Sequence, residues 1–179
     1  MTQWKIIPGV KLYYITTTGV EWCDVFTAIP YSDIIIDSLK YCIIHKALHL
    51  HAYVVMPNHA HYILSTDERK SLSDIMRDLN THTSREITRL LKAESRHDLL
   101  KVFSDAAKLD GRGNQFKVWQ EGFHPIALAT HDFVAQKLNY LHNNPVRKGY
   151  VVRPEQWRYS SARNYILQDE SVIKVEFLF

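Results

Sequence analysis

The sequence predicts an α+β fold: a ferredoxin-like antiparallel sheet with two helices on one face and a further helix near the open face. Three observations predict it. The elements read in the order strand, helix, strand, strand, helix, strand, helix, and the first six match a split βαβ unit. Tyr53 to Leu64 reads as a hairpin broken at Pro57-Asn58, because proline removes a ladder donor and Pro-Asn favours a turn. After that turn, alternation puts His59, His61 and Ile63 on one face and Ala60, Tyr62 and Leu64 on the other. If both early helices cover the Ala60 face, the two histidines stand on the open one.

Each element has its own signal. Val10 to Thr18 is rich in β-branched and aromatic residues, bounded by Pro8-Gly9 and Gly19, and reads as a strand. Trp22 to Phe26 reads as a packed loop or short strand. Ile34, Ile35, Leu39, Cys42, Ile43 and Ala47 recur at helical spacing, with Ser32 or Asp33 as N-cap. The hairpin follows. Ser71 opens a second helix, with Asp74 at the capping-box distance, and Leu72, Ile75, Met76, Leu79, Ile87, Leu90 and Leu91 form its apolar stripe. Leu99 to Gln115 is less periodic, and Asp110 to Asn114 is a loop signal. Phe116 to Gln120 reads as a strand. A third helix runs from Thr130 or His131 to about Asn143 and ends before Pro145, since the residue before proline avoids the α region.

A chain of 179 residues with 46% hydrophobic and 23% charged residues is expected to form a single globular domain over 1–179. A net charge of +3 permits an anionic partner without demanding one. Cys23 and Cys42 form no Cys-x-x-Cys pair, so no thiolate metal site or disulfide framework is expected. No signal peptide and no membrane span is visible, which gives a cytoplasmic expectation with no membrane partner.

Two imidazoles two residues apart on a strand point the same way and can hold one metal ion. On the third helix Gln136, Tyr140 and Asn144 are four apart and share a stripe, with Lys137 flanking Tyr140. His142 points nearly opposite. Laid over the open face, the stripe brings a phenol and an amide oxygen to the imidazoles. A divalent ion held there would polarise a phosphate oxygen, and the phenol could attack phosphorus. Taken alone, these residues equally fit half-exposed histidines, a core tyrosine and a helix-end asparagine. Arg77, Arg85, Arg89 and Lys92 form a basic face on the second helix, which fits either phosphate tracking or simple solvation.

Four blocks carry a resemblance. Met56-Pro57-Asn58-His59-Ala60-His61 resembles the His-hydrophobe-His motif of the HUH single-strand nucleases. Tyr140 to Gly149 (YLHNNPVRKG) resembles the tyrosine block of the REP-associated tyrosine transposases, relatives of the single-tyrosine insertion-sequence transposases. Val118 to Pro125 (VWQEGFHP) and Trp157 to Tyr165 (WRYSSARNY) resemble the same family, in the same order. The match runs from about Val10 to Tyr165.

The resemblance implies a ferredoxin-like palm that cuts and joins single-stranded, hairpin-containing DNA through a 5′-phosphotyrosine. It maps the nucleophile onto Tyr140 and metal ligation onto His59, His61 and Asn144, with Asn143 as the fallback third ligand. Mg²⁺ or Mn²⁺ suits such oxygen and imidazole ligands in the presence of phosphate. A free phenol ionises near ~10, so activation is needed, by the ion or by Lys137. DNA contacts are expected from Arg77, Arg85, Arg89, Lys92 and Lys137, and from Arg147, Lys148, Trp157, Arg158 and Arg163. The tail from about residue 150 then belongs to the DNA-binding surface. Ala60 is smaller than the usual middle residue, and Asn80 stands where many relatives carry lysine. A homodimer that exchanges the tyrosine helix and a monomer are both compatible. The alternatives are an inactive nucleic-acid-binding module of the same fold and a hydrolytic metal-dependent nuclease.

Overall fold

The computed structural model describes residues 7, 9–67 and 71–179. Four strands form one antiparallel sheet in the order β2-β3-β1-β4: β1 Tyr13–Thr18, β2 Leu48–Val55, β3 His59–Thr66 and β4 Ile126–Ala127. The helices are α1 Ile29–Lys46, α2 Leu72–Ala93, α3 His97–Asp110, α4 His131–His142, α5 Asn144–Arg147 and α6 Ala162–Leu167. This strand order is that of the expected ferredoxin-like arrangement.

Alternation along the strands divides the apolar residues between two layers. Ile15, Tyr53, Val55, Ala60, Tyr62 and Leu64 join α1 and α2 in the larger core. Tyr14, Ala52, Val54, Met56 and Ile63 form a smaller core with Val134, Leu138 and Leu141 of α4. The expected assignment of the Ala60 face to the early helices therefore holds, and α4 packs on the histidine face. Among the described residues no helix is long and apolar enough to cross a membrane.

Several expectations need correction. β1 begins at Tyr13 rather than Val10; Pro8 lies outside the described residues. Trp22 to Phe26 falls in two 3-10 turns. α1 starts at Ile29, with Pro30 in its first turn, where the missing N–H costs nothing. Ser32 is therefore inside the helix, and its hydroxyl donates to the Phe26 carbonyl at 3.0 Å. Ser71 does cap α2, but without a side-chain bond, and the Asp74 carboxylate pairs with Arg77 at 2.7 Å.

Residues 97–110 form a helix that the sequence hid, since only Phe103 and Ala107 are fully buried on it. Residues 116–120 do not form a strand: Trp119 makes one isolated bridge to Gly19. The chain then loops away through Gly122, in the left-handed region at φ 75°, and Pro125. It forms a ladder with β1 at Ile126–Ala127, after single bonds from Gln120 and His124 N–H to the Thr18 and Thr16 carbonyls. The helical path also does not stop at Pro145. α4 ends at His142, and a short helix begins at Asn144 with Pro145 in its first turn.

The C-terminal segment covers the outer edge of β2. Tyr159 and Ser161 exchange backbone bonds with Val55 and Tyr53, and Glu176 N–H donates to the Leu50 carbonyl. An edge strand left open would invite pairing with another chain.

Candidate active site

Asn58, at the β2–β3 turn, is held from three sides. Its carbonyl accepts from Gly19 N–H at 2.8 Å, and its amide donates to Asp24 at 2.8 Å. Its side-chain oxygen accepts from His59 Nδ1 at 2.7 Å. His61 Nδ1 is bonded at 2.8 Å to Thr16 Oγ1, the residue directly opposite it on β1. The ring of Tyr14 stacks on His61 with centroids 5.3 Å apart. Both histidines have their Nδ1 atoms engaged by protein, which fixes the rings and leaves Nε2 as the atom that faces a ligand.

The two rings lie 4.8 Å apart, and each is 7% exposed. Burial, then the charge of Lys148, pushes His59 down to about 4. Burial, then His59, then Lys137, pushes His61 down to about 3. Both imidazoles are therefore neutral at neutral pH and offer lone pairs.

α4 delivers the phenol. Its N-cap is Thr130, whose hydroxyl accepts from Phe133 N–H. Val134, Leu138 and Leu141 face the sheet, which leaves Tyr140 at the rim, 40% exposed. Its ring meets His61 edge-on at 5.9 Å and Tyr14 at 6.4 Å. Lys137 and Arg147 lie 5.8 and 5.1 Å from its centroid. Phenol, imidazoles and cations thus meet within one chain.

Asn144 is not one further turn of the same helix, as the spacing had suggested; it is the first residue of α5. It is 5% exposed. No hydrogen bond of its side-chain amide is found among the described residues. Its carbonyl accepts from Lys148 N–H, and the Lys148 charge acts on His59, so α5 lies beside the histidine pair. Asn143 turns the other way and donates to Asn139. Gln136 is exposed, and His142 is buried with Nε2 on Ser161 at 2.9 Å. Among the described residues no third His, Cys, Asp or Glu joins the pair in a metal-binding cluster.

The expected DNA contacts separate into three groups. Lys137, Arg147 and Lys148 surround the site. Arg77, Arg85, Arg89 and Lys92 lie on α2, across the sheet from it. Arg77 is paired with Asp74 and Arg89 with Glu86. Arg158 lies over the Tyr159 ring at 5.6 Å. Arg163 binds Asp169 and the Glu155 carbonyl, and the Trp157 indole donates to the Val55 carbonyl at 2.8 Å. The donors of Arg163 and Trp157 are thus engaged inside the fold, while Arg158 is exposed.

Sequence reasoning missed Thr16, Tyr14 and Trp22. The first two share the histidine face by alternation on β1, but only the β1–β3 register reveals it. Trp22 is 59% exposed, edge-on to His59 at 6.0 Å, with its backbone in the left-handed region at φ 54°. Backbone strain of this kind clusters at working sites.

The sequence model of the IS200-like transposases matches residues 23–144, a span that holds both histidines, Tyr140 and Asn144. Among solved structures the chain is similar to a REP-associated tyrosine transposase bound to a REP hairpin. That similarity has TM-score 0.65 and 17% identity, and covers 100% of this chain and 94% of the other. It is also similar to a Deinococcus radiodurans R1 protein provisionally described as a transposase, with TM-score 0.47, 20% identity, and coverage of 80% and 97%. No curated protein matches the chain. The family match spans well over half of the sequence, and the chain belongs to the IS200-like transposase family.

Proposed function

We propose that this transposase cuts and rejoins single-stranded, hairpin-containing DNA through a covalent 5′-phosphotyrosine at Tyr140. The observation that carries the reading is the placement of the Tyr140 ring 5.9 Å from that of His61, with two cations against it. The residues also fit a divalent ion. Two neutral imidazoles with anchored Nδ1 atoms and the amide of Asn144 form a nitrogen and oxygen donor set that suits Mg²⁺ or Mn²⁺ once phosphate and water complete it. Bound by His59, His61 and Asn144, the ion would supply Lewis acidity toward a non-bridging oxygen of the scissile phosphate.

The chain's own residues do the rest. Lys137, Arg147 and Lys148 attract the phosphodiester and offset its charge. Tyr140 Oη bonds to phosphorus, the bond to the 3′-oxygen breaks, and the leaving strand takes up a proton as a 3′-hydroxyl. One phosphodiester replaces another, so a 3′-hydroxyl on a second strand can reverse the step without an external energy source. Recognition of a hairpin is extended to this chain from the hairpin-bound fold relative and from the basic residues around the site.

The test is incubation with single-stranded oligonucleotides carrying hairpins and a label near the 3′ end, with Mn²⁺ or Mg²⁺. A denaturant-resistant adduct is expected, and mass spectrometry should place the nucleotide on Tyr140. Tyr140→Phe keeps the ring and should retain DNA binding, while cleavage falls by several orders of magnitude. Cleavage by Tyr140→Phe at the wild-type rate would mean that water attacks instead.

A further inference from the structure

We propose that Asp24 is a positioning residue of the site: through the Asn58 amide it selects which nitrogen of His59 carries the proton, and so which one is free for the divalent ion. The proposal rests on the reading above, that His59 is a ligand to that ion.

The bonds run in one direction. A carboxylate has no hydrogen to give, so Asp24 can only accept. Its Oδ1 lies 2.8 Å from the Asn58 side chain, and the end of the amide that faces it must be the NH₂. The other end is then the carbonyl, 2.7 Å from His59 Nδ1. A carbonyl also only accepts, so Nδ1 must carry the proton. Nε2 keeps its lone pair.

An amide is nearly symmetric in shape and can present either end to a neighbour. Among the described residues the bonds of the Asn58 side chain are these two, so the Asp24 carboxylate is the partner that tells the ends apart. The His59 ring holds one proton at neutral pH, because burial, then the charge of Lys148, pushes it down to about 4. In a neutral imidazole the nitrogen that takes a ligand is set by the bond that the other one makes. Turned over, Asn58 would offer its NH₂ to His59. Nδ1 would then have to accept, the proton would sit on Nε2, and no lone pair would remain for the ion.

Asp24 is exposed, where water competes for its bonds, but the backbone holds it within reach. Gly19 N–H donates to the Asn58 carbonyl and Phe26 N–H to the Pro57 carbonyl, both at 2.8 Å, one clamp on each side of Asp24. The first is a close approach: a Cβ on Gly19 would stand 3.3 Å from the Asn58 carbonyl oxygen. The Asp24 carbonyl also accepts from the Thr27 hydroxyl at 3.2 Å. The segment that carries Asp24 is thus sewn to the turn that carries Asn58.

Two measurements test the assignment. NMR of metal-free protein with heavy nitrogen in its histidines, at neutral pH, separates a protonated ring nitrogen from a bare one, and His59→Ala identifies the His59 signals. Calorimetric titration with Mn²⁺ reads affinity. In wild type the proton should sit on Nδ1. Asp24→Asn keeps the shape and removes the direction. A share of His59 should move its proton to Nε2, and Mn²⁺ affinity should fall about tenfold, the lower end of the range for partners that orient a metal-ligating histidine. Adding Asn58→Asp to Asp24→Asn restores the direction, because the new amide can donate to the new carboxylate, which only accepts from His59. Proton position and affinity should both return. A proton that stays wholly on Nδ1 in Asp24→Asn would overturn the proposal even if affinity falls, since Asp24 would then act through its charge alone. A wild type with the proton on Nε2 would overturn it as well, as would a double variant no better than the single one. A wild type that carries the proton on Nδ1 and binds no Mn²⁺ would overturn the ligand reading instead.

Discussion

Thr16→Val is the sharpest probe of the site, because it changes one atom that touches no substrate. Valine keeps the β-branched shape on the strand and removes only the hydroxyl bonded to His61 Nδ1 at 2.8 Å. The ring stays stacked on Tyr14, but its tautomer is no longer set. Two magnitudes follow. Stability loses a hydrogen bond and leaves a buried ring N–H unmatched, a cost of about 1–3 kcal/mol. For a chain of this length that lowers Tm by about 2–4 °C per kcal/mol. Loss of a partner that orients a metal-ligating histidine weakens metal affinity by roughly 10–100-fold. Calorimetric titration with Mn²⁺ reads the second effect and thermal melting the first. Cleavage at limiting ion should fall by the factor seen in affinity and recover when the ion is saturating. An unchanged affinity, or a defect that excess ion does not rescue, would refute the assignment of His61 as a ligand.

Trp22→Ala should leave melting unchanged, since the ring is largely exposed, and weaken single-strand binding by about 1–3 kcal/mol if the ring stacks on a base; equal affinity in an anisotropy titration would remove that role. His49 is raised above its ordinary range by hydrogen bonds to Glu176 and then Asp67. Its pinning of the C-terminal segment is thus fully present below the unfolded value and lost as pH rises through the folded one. The melting difference between wild type and His49→Gln should accordingly shrink from mildly acidic to alkaline pH, and a difference that grows would contradict the clasp. Mixing His61→Ala with Tyr140→Phe should restore no cleavage; recovery of activity would mean that the tyrosine helix serves a second copy of the chain.

The parts of the fold legible in the sequence were those governed by local rules. Alternation sorted His59 and His61 from Ala60, Tyr62 and Leu64 because a strand has a period of two. The α2 stripe was readable because six of its seven named residues are buried. The hidden parts depend on pairing between distant segments. Phe116 to Gln120 has strand-like composition, yet it meets the β1 end only through single contacts, Trp119 with Gly19 and Gln120 N–H with the Thr18 carbonyl, and a ladder forms only at Ile126–Ala127. Asn144 looked like the next turn of α4, but proline has no N–H to continue the ladder. The helix therefore restarts, and Asn144 opens α5 instead of extending α4. Thr16 and Tyr14 became visible only with the register that sets Thr16 against His61.

The connection before α4 argues for a tyrosine that serves its own chain. β4 ends at Ala127 and α4 begins at His131, so three residues join them, a reach of roughly 10 Å even when extended. One of the three, Leu128, is buried in the smaller core, and its N–H donates to the Leu12 carbonyl at 2.9 Å. The N-terminus of α4 is therefore fixed to the edge of its own sheet. Its C-terminus is fixed too, because Leu141 enters the same core and the His142 ring binds Ser161, which in turn bonds to Tyr53 of β2. Moving the helix to another subunit would pull Val134, Leu138 and Leu141 out of contact together and leave His142 without its partner. A helix held at both ends by its own sheet keeps Tyr140 over the histidines that the same sheet displays.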